Sequence, residues 1–326
     1  MKKILIFGVG GFVGNYLSRE FLNHGYDVYG SDKMDTRPAA LHESVHYASA
    51  DLMDAAGVQA IVSAIVPDMI INLAAISSVG LSWNIPQTTV SVNVIGALNI
   101  MEAARTCENK PRVMFIGSSE EYEITDQPIS ETTPLNANNP YGISKVTQER
   151  FAEIYRSSYG MKIYCVRPFN HTGIGQRDTF VLPSFCKQAA DIEKSGKAGT
   201  IKVGNLSAKR DFGSVRDVVR AYRMIIEQED CTKIYNVGSG EVYSLQELLE
   251  YIVSLSSQQI SIEVDPERFR PEDNPVICCD NSLIRRDLGW QPEEKIFDIL
   301  KEMYEYYLDH ETIQRNDQDK SFRYRP

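Results

Sequence analysis

The sequence of 326 residues lacks a cysteine motif: its six cysteines are scattered, apart from the adjacent Cys278 and Cys279. No two of its six cysteines show the C-x-x-C spacing that is typical of zinc sites and redox-active pairs, so we expect no metal site. Their scatter also argues against the disulfide framework of a small secreted domain, and free buried thiols are expected instead. The cysteines are Cys107, Cys165, Cys186, Cys231, Cys278 and Cys279.

Long apolar runs and an excess of positive charge are also missing. No run approaches the roughly 20 apolar residues that cross a bilayer. The net charge of -10 argues against a general nucleic-acid or anionic-membrane binder, although it is compatible with a local basic pocket for a phosphorylated ligand. The apolar run at residues 4–7 follows Lys2 and Lys3, but it is too short for a signal peptide. We therefore interpret it as a first β-strand and expect a cytoplasmic protein.

Short apolar runs alternate with helical patterns through the first half of the chain. This alternation is typical of βαβ units and a parallel sheet. It predicts strands at residues 3–7, 27–30, 69–72, 112–116 and 162–167, with a late strand returning at residues 235–240. It predicts helices at residues 11–24, 55–66, 90–107 and 141–159.

The composition changes after Arg167, where loops rich in proline, glycine and polar residues begin. We therefore predict an α/β protein with a Rossmann-type doubly wound parallel sheet and a smaller, discontinuous C-terminal α/β substrate domain. The expected cofactor domain comprises residues 1–168 plus about 213–240. The expected substrate domain comprises residues about 169–212 and 241–308, and residues 309–326 are expected to form a polar tail.

A glycine-rich turn, Gly-Val-Gly-Gly-Phe-Val-Gly from Gly8 to Gly14, follows the first predicted strand and opens a helix. Glycines let a dinucleotide pyrophosphate approach the backbone at a helix N-terminus, where N–H donors and the dipole favour anions. Asp32 follows at the end of the second strand, where a carboxylate accepts hydrogen bonds from the adenosine ribose. We expect a dinucleotide cofactor, with NAD(H) favoured by Asp32 and NADP(H) left possible by Lys33.

Further candidates follow the ends of other predicted strands, because the carboxyl ends of parallel strands line the ligand crevice. Asp51 and Leu52 could flank the adenine, although Asp51 also fits a solvated turn. A short segment of mainly small residues after the strand predicted at residues 69–72 would let a cofactor pass. These are Leu73, Ala74 and Ala75, directly behind Asn72.

A serine pair follows the strand predicted at residues 112–116. Ser118, followed by Ser119, could hydrogen-bond a substrate carbonyl, although two serines after a strand also suit an ordinary turn. Glu120 could act as an acid or base, or be a solvated loop carboxylate. Asn93, on the helix predicted at 90–107, either supports the site or is a helix-surface amide.

Tyr141 and Lys145 form a Tyr-x-x-x-Lys segment directly behind Pro140. Proline at the first helical position predicts a helix that begins here, and residues four apart share one helical face. The Lys145 ammonium would lower the Tyr141 pKa from its usual ~10, so that the phenol exchanges protons near neutral pH. Tyr29 and Lys33 show the same spacing, but in a predicted strand and turn where the spacing carries no meaning.

These motifs, in this order, resemble the extended short-chain dehydrogenases/reductases that act on nucleotide sugars, over residues 1–308. The second half resembles the GDP-4-keto-6-deoxy-D-mannose reductases within that family. The resemblance rests on Arg-Pro-Phe-Asn-His-Thr-Gly-Ile-Gly-Gln from Arg167, Val-Gly-Asn-Leu from Val203, Arg-Asp-Phe from Arg210 and Arg-Phe-Arg-Pro-Glu-Asp from Arg268. Two residues near the expected sugar site depart from the pattern, Ile174 in place of the usual Pro and Glu123 in place of the usual Gly.

The resemblance implies roles for the matching residues. Tyr141 would protonate the sugar C4 oxygen as hydride arrives from the nicotinamide, Lys145 would lower the Tyr141 pKa and bind the nicotinamide ribose, and Ser118 would orient the carbonyl. The implied cofactor-binding set is Gly8, Gly11, Phe12, Val13, Gly14, Asp32, Lys33, Asp51, Leu52, Leu73, Ala74, Ala75, Asn93, Tyr141 and Lys145.

The resemblance also implies a substrate-binding set. Asn170 would bind the sugar diphosphate, and Arg210 and Arg270 would contact the phosphates or the nucleotide. For each arginine the alternative is a surface cation paired with the nearby Asp211 or Glu272. His171 is expected to stabilise a loop. The set is Ser77, Ser118, Ser119, Glu120, Asn170, Arg210, Arg270 and Glu272.

The implied reaction is reduction of GDP-4-keto-6-deoxy-D-mannose to GDP-D-rhamnose. GDP-mannose 4,6-dehydratase is the nearest alternative, with Glu120 assisting, although those dehydratases usually carry Thr in place of Ser118. A GDP-6-deoxy-talose-forming reductase, a sugar C4 epimerase and a non-catalytic NAD(P)-sensing protein are further alternatives, and a sensor has no need of a proton relay. Family analogy also predicts a homodimer, with the helices near 90–107 and 141–159 across the interface.

Overall fold

A seven-stranded parallel sheet forms the centre of the computed structural model, which describes residues 1–265 and 275–310. Its order is β10-β6-β5-β4-β1-β2-β3. The predicted Rossmann-type doubly wound sheet is confirmed. The strands are β1 (Lys3–Phe7), β2 (Asp27–Asp32), β3 (His46–Ser49), β4 (Met69–Asn72), β5 (Arg112–Ile116), β6 (Ile163–Pro168), β7 (Asn170–Thr172), β8 (Gly199–Val203), β9 (Lys209–Ser214), β10 (Tyr235–Val237), β11 (Val242–Ser244), β12 (Ile260–Val264) and β13 (Val276–Ile277).

The helices predicted at residues 11–24, 55–66 and 141–159 are found, and the one predicted at 90–107 is interrupted. There a π-helical turn at Ser91–Ile95 separates two α-helices, so the single helix predicted at 90–107 is three segments. The α-helices are α1 (Phe12–Asn23), α2 (Ala55–Ile65), α3 (Val79–Asn84), α4 (Pro86–Val90), α5 (Gly96–Thr106), α6 (Pro140–Tyr159), α7 (Val181–Ser195), α8 (Val215–Ile226), α9 (Leu245–Ser254), α10 (Ser282–Leu288) and α11 (Ile296–Asp309).

Both faces of the sheet are covered, as strand β1 illustrates. Ile4 and Ile6 pack into the apolar layer that includes residues of α1 and α8. Leu5 and Phe7 pack into the opposite layer, which includes residues of α2 and α5. Because successive side chains of a strand point to opposite faces, burial on both sides explains the uninterrupted apolar run.

The second half of the chain supplies smaller sheets beside the carboxyl end of β6. Strand β9 pairs with β11, β13 and β7, while β12 and β8 form a parallel pair. Helices α7, α9 and α11 bury a separate apolar cluster against β8 and β9. Strand β10 returns to the main sheet beside β6, as the sequence predicts.

The cysteines are free, as expected, with four buried and Cys231 and Cys278 partly buried. No helix within residues 1–265 and 275–310 is both long and apolar enough to cross a membrane. The predictions for Arg270, Glu272 and the tail beyond residue 310 lie outside the described residues.

Candidate active site

The predicted site residues of the first half meet at one edge of the main sheet. The glycine turn follows β1, Asp32 ends β2, Asn72 ends β4 and Ser118 comes shortly after β5. Strands β1 and β4 are neighbours, and the strand order reverses between them. Ligands of doubly wound folds bind at such a switch point, outside the carboxyl ends of the strands.

The glycine turn packs too closely for larger side chains. Gly8 has a φ of +79°, and a Cβ added to it would lie 2.6 Å from the backbone N of Ala74. A Cβ on Gly14 would lie 2.4 Å from the carbonyl oxygen of Val9. Helix α1 begins after Gly11, which provides no side-chain cap for the first-turn N–H groups. These donors and the helix dipole suit an anionic group such as a pyrophosphate.

Asp32 holds the glycine turn from the next strand. Its Oδ2 accepts a hydrogen bond from the Gly10 N–H at 3.1 Å, and its Oδ1 accepts one from the Lys33 N–H at 2.8 Å. Asp32 is only partly buried and Lys33 is exposed. The carboxylate is therefore fixed at the edge of the turn, where a ribose is expected.

Asp51 and Leu52 have different surroundings. Asp51 is exposed, and its Oδ1 accepts a hydrogen bond from the Met53 N–H at 2.9 Å, an arrangement typical of a turn aspartate. Leu52 is buried, and its side chain packs against Gly96 on α5. Most of the Leu52 side chain thus contributes to the core.

Asn93 is buried inside the π-helical turn, which excludes the interpretation as a surface amide. Its Oδ1 accepts from the Ile76 N–H at 2.8 Å, and its Nδ2 donates to the Ile76 carbonyl and to Ser144 Oγ at 2.9 Å. It therefore connects the segment after β4 to helix α6. Leu73, Ala74 and Ala75 lie partly buried between β4 and this contact. Asn93 thus links these two elements.

The serine loop forms a short 3-10 helix, Ser119–Glu121, that begins after Ser118. Ser118 Oγ accepts a hydrogen bond from the Glu120 N–H at 3.1 Å. The nearby Ser118 side chain lowers the Tyr141 pKa. Ser119 is buried beside it. Ser118 and Tyr141 are therefore brought together, as the sequence predicts.

Helix α6 begins as predicted, with Pro140 at its first turn. Its N-cap is Asn139, whose Oδ1 accepts from the Gly142 N–H at 2.9 Å. Tyr141 and Lys145 are both buried on this helix, and Lys145 Nζ lies 5.8 Å from the centre of the Tyr141 ring. Lys145 Nζ also donates to the Ile116 carbonyl at 2.8 Å. The lysine is thus fixed between the helix and the end of β5.

The predicted lowering of the Tyr141 pKa is wrong: the pKa is raised. Burial raises the Tyr141 pKa well above its usual value, and this effect exceeds the lowering by Ser118. Burial also lowers the pKa of Lys145 to about 8. Removing water disfavours the charged form of both groups, so desolvation outweighs the attraction between ammonium and phenolate.

Glu120 is not a free loop carboxylate. Its Oε2 accepts a hydrogen bond from Asn139 Nδ2 at 2.9 Å, and its charge raises the pKa of the nearby Tyr141. The following residue, Glu121, is fully buried and was not among the predicted site residues. The Ser-x-x-Glu spacing from Ser118 to Glu121 is a capping-box signal that could have identified it.

The predicted substrate residues of the second half lie in the adjoining strands. Asn170 is partly buried in β7. His171 Nδ1 donates to the Phe169 carbonyl at 3.0 Å, and its ring stacks on Phe12 with centroids 6.4 Å apart. Burial lowers the His171 pKa. These contacts join the segment after β6 to helix α1 and agree with the expected loop-stabilising role.

Arg210 is buried in β9, so it is not a surface cation. Its Nη1 donates to the Lys209 carbonyl at 2.9 Å. The Asp211 carboxylate accepts hydrogen bonds from Ser239, Gly240 and Cys279 instead. Ser77 is exposed in the segment between β4 and α3.

Comparisons with known proteins agree on one family. The family model for GDP-mannose 4,6 dehydratase matches residues 5–303. The GDP-6-deoxy-D-mannose reductase of Pseudomonas aeruginosa is 29% identical over 238 residues, 72% of this chain and 78% of the relative. The GDP-mannose 4,6-dehydratase of Yersinia enterocolitica is 29% identical over an alignment that covers 93% of this chain and 93% of the relative. A solved structure, RMD from Pseudomonas aeruginosa complexed with NADPH, is 25% identical with a TM-score of 0.80 and covers 95% of this chain and 99% of its own.

Proposed function

Because the chain belongs to the GDP-mannose 4,6 dehydratase family, we propose that it reduces the C4 keto group of GDP-4-keto-6-deoxy-D-mannose to give GDP-D-rhamnose. Ser118, Tyr141 and Lys145 converge at the carboxyl end of β5, on the same side of the main sheet as the glycine turn after β1, and this arrangement carries the proposal. The relative named GDP-6-deoxy-D-mannose reductase supports the choice of reaction. The reductase and dehydratase relatives are both, by name, enzymes that act on GDP sugars.

The glycine turn fits a nicotinamide dinucleotide. Gly8 and Gly14 let the turn pack closely on neighbouring backbone, and the N-terminus of α1, which has no side-chain cap, provides donors for a pyrophosphate. Asp32 is placed to accept hydrogen bonds from the adenosine ribose, and its charge favours NAD(H) over the 2′-phosphorylated form. When bound, the nicotinamide supplies the hydride for the carbonyl carbon.

The raised pKa of Tyr141 suits the proton donor of a reduction. A phenol that keeps its proton at neutral pH can deliver it from Oη to the sugar C4 oxygen as negative charge develops there. Ser118 Oγ, close to the same phenol, would orient the carbonyl oxygen. The Lys145 ammonium would stabilise the phenolate left after proton transfer.

We place the nucleotide part of the substrate on the second half of the chain, in residues about 169–212 and 241–308. Asn170 and the buried Arg210 lie in strands β7 and β9, which pair with each other. An arginine guanidinium in a buried strand is suited to a diphosphate or to the edge of a base.

The experiment offers GDP-4-keto-6-deoxy-D-mannose with NADH or NADPH, and GDP-mannose alone, and follows reduced-cofactor absorbance and the sugar products. We expect stoichiometric cofactor oxidation with the keto sugar and none with GDP-mannose. Conversion of GDP-mannose to its 4-keto-6-deoxy form without net cofactor consumption would refute the reductase proposal.

GDP-mannose 4,6-dehydratase is the second candidate. Glu120, held at 2.9 Å by Asn139 near the Tyr141 phenol, occupies a position from which a carboxylate could assist loss of water. The Yersinia enterocolitica relative has this activity by name. Glu120→Gln separates the two: it should block dehydration but leave ketone reduction largely intact.

A further inference from the structure

Glu121, the last residue of the 3-10 helix in the serine loop, has a carboxylate that is 0% exposed to solvent. Its Oε1 accepts a hydrogen bond from the Ser118 N–H at 2.7 Å. Its Oε2 is buried, has no hydrogen-bond partner within residues 1–265 and 275–310, and lies 3.9 Å from Arg167 Nε. Burial of an incompletely paired carboxylate costs stability, so its presence calls for a role.

Charged and titratable groups surround Glu121 from two elements. Arg167, on β6, donates from Nε to Glu149 Oε2 at 3.0 Å and from Nη1 to the Tyr122 hydroxyl at 2.9 Å. Arg167 is therefore already paired, and Glu121 is a second carboxylate beside that pair. The groups that act on Glu121 or respond to it are Glu149, Lys145 and Tyr141 of α6, Arg167 and Cys165 of β6, and the adjacent Tyr122.

We propose that Glu121 is a positioning residue for Ser118, Tyr141 and Lys145, an inference that rests on the proposed function. Oε1 fixes the Ser118 backbone and lies against Gly117, directly after Ile116, whose carbonyl accepts from Lys145 Nζ. The carboxylate is thereby held close to the lysine. Gly117 leaves the space for this carboxylate, since a Cβ there would lie 2.3 Å from Glu121 Oε1.

The charge of Glu121 changes in the same pH range as that of Lys145. Burial and the nearby Glu149 raise the Glu121 pKa to about 8, and burial lowers the Lys145 pKa to about 8. Ionised Glu121 raises the pKa of both Lys145 and Tyr141. Removal of its charge should therefore make Lys145 lose its proton at lower pH.

The first test is Glu121→Gln, whose amide oxygen can still accept from the Ser118 N–H but carries no charge. The alkaline limb of kcat/KM against pH should move to lower pH by about one unit. Glu108→Gln, at an exposed position, is the matched control and should leave the limb in place. A limb in Glu121→Gln that coincides with the wild type would overturn the proposal.

The second test needs no activity. A carboxyl with a raised pKa binds more protons in the folded than in the unfolded chain, so its contribution to stability falls as pH rises from about 4.3 to about 8. The denaturant midpoint of Glu121→Gln relative to the wild type should therefore increase over this range. A constant difference would count against the role of Glu121, whereas absence of wild-type turnover on GDP sugars would count against the proposed function alone.

Discussion

Asn139 donates a hydrogen bond through Nδ2 to the Glu120 carboxylate across 2.9 Å, while it also caps helix α6. The start of the helix and the serine loop are in direct contact here, because a Cβ on Gly142 would lie 2.3 Å from the Glu120 carbonyl oxygen. Tyr141 lies between Asn139 and Gly142 in sequence, and Ser118 lies two residues before Glu120. The proposed proton donor and its serine partner are thus held by two elements that cannot move apart independently.

Tyr141→Phe should reduce turnover by about two to four orders of magnitude, because the proposed proton donor is lost. Cofactor affinity, measured by quenching of protein fluorescence, should stay close to that of the wild type. Tyr29→Phe is the matched control: it removes a hydroxyl from the other Tyr-x-x-x-Lys segment, where Tyr29 stacks on His46, and should retain turnover. Full activity of Tyr141→Phe would contradict the mechanism.

Comparing Gly8→Ala with Gly25→Ala separates the effect of backbone strain at a positive φ from the effect of a steric clash between the new Cβ and neighbouring backbone atoms. Both glycines have a positive φ, +79° and +76°, so each alanine should cost about 1–2 kcal/mol of stability. Only Gly8 also meets backbone atoms, with Ala74 N at 2.6 Å, whereas Gly25 has none within 4 Å. Calorimetric titration should show loss of cofactor binding in Gly8→Ala and normal binding in Gly25→Ala; equal binding in both would be evidence against the pyrophosphate site.

Asp32→Asn should shift cofactor preference towards NADP(H). The amide oxygen can still accept from the Gly10 N–H, but the negative charge that opposes a 2′-phosphate is removed. We expect the ratio of the two dissociation constants to change by roughly tenfold, which is about 1.4 kcal/mol. Asp35→Asn, an exposed neighbour bonded to Ser49, is the control. An unchanged ratio from titration with both cofactors would show that Asp32 does not select between them.

The pH dependence of kcat/KM should show an alkaline limb near pH 8. Lys145 is cationic below its pKa, which burial lowers to about 8, so the charge that stabilises the phenolate is lost as pH rises above that value. A solvated lysine would lose its charge near pH ~10.4. Lys162→Met, which removes an exposed lysine paired with Glu229, should leave the limb unchanged. A profile that stays flat to pH ~10 would contradict the assignment to Lys145.

The homodimer predicted by family analogy, with the helices near 90–107 and 141–159 across the interface, should also bury exposed apolar side chains of the adjoining α3 and α4. Large apolar side chains of α3, α4 and α6 are exposed without a cover from the described residues. They are Leu81, Trp83, Val90, Ile143 and Ile154. Light scattering at micromolar concentration should give the mass of a dimer. Ile143→Glu combined with Ile154→Glu should give a monomer, whereas Val264→Glu, on the exposed strand β12, should not; a monomeric wild type would refute the prediction.

The sequence by itself determined the features that depend on neighbouring residues. The apolar run at β1, the glycines behind it and Asp32 at the end of β2 are all found where spacing and turn chemistry place them. Helix α6 begins at Pro140 for the same reason. In each case a local preference of the backbone agrees with the global fold, so pattern and spacing were sufficient.

The tertiary structure alone decided what depends on burial. Asn93 contacts Ile76 and Ser144, which are distant in sequence, and only packing reveals that its amide is buried. The rise in the Tyr141 pKa and the exclusion of water from Glu121 likewise follow from segments brought together by the fold. The spacing of Tyr141 and Lys145 predicted an attraction between charges. Desolvation, which cannot be read from the spacing of two residues, instead determined the direction of the Tyr141 pKa shift.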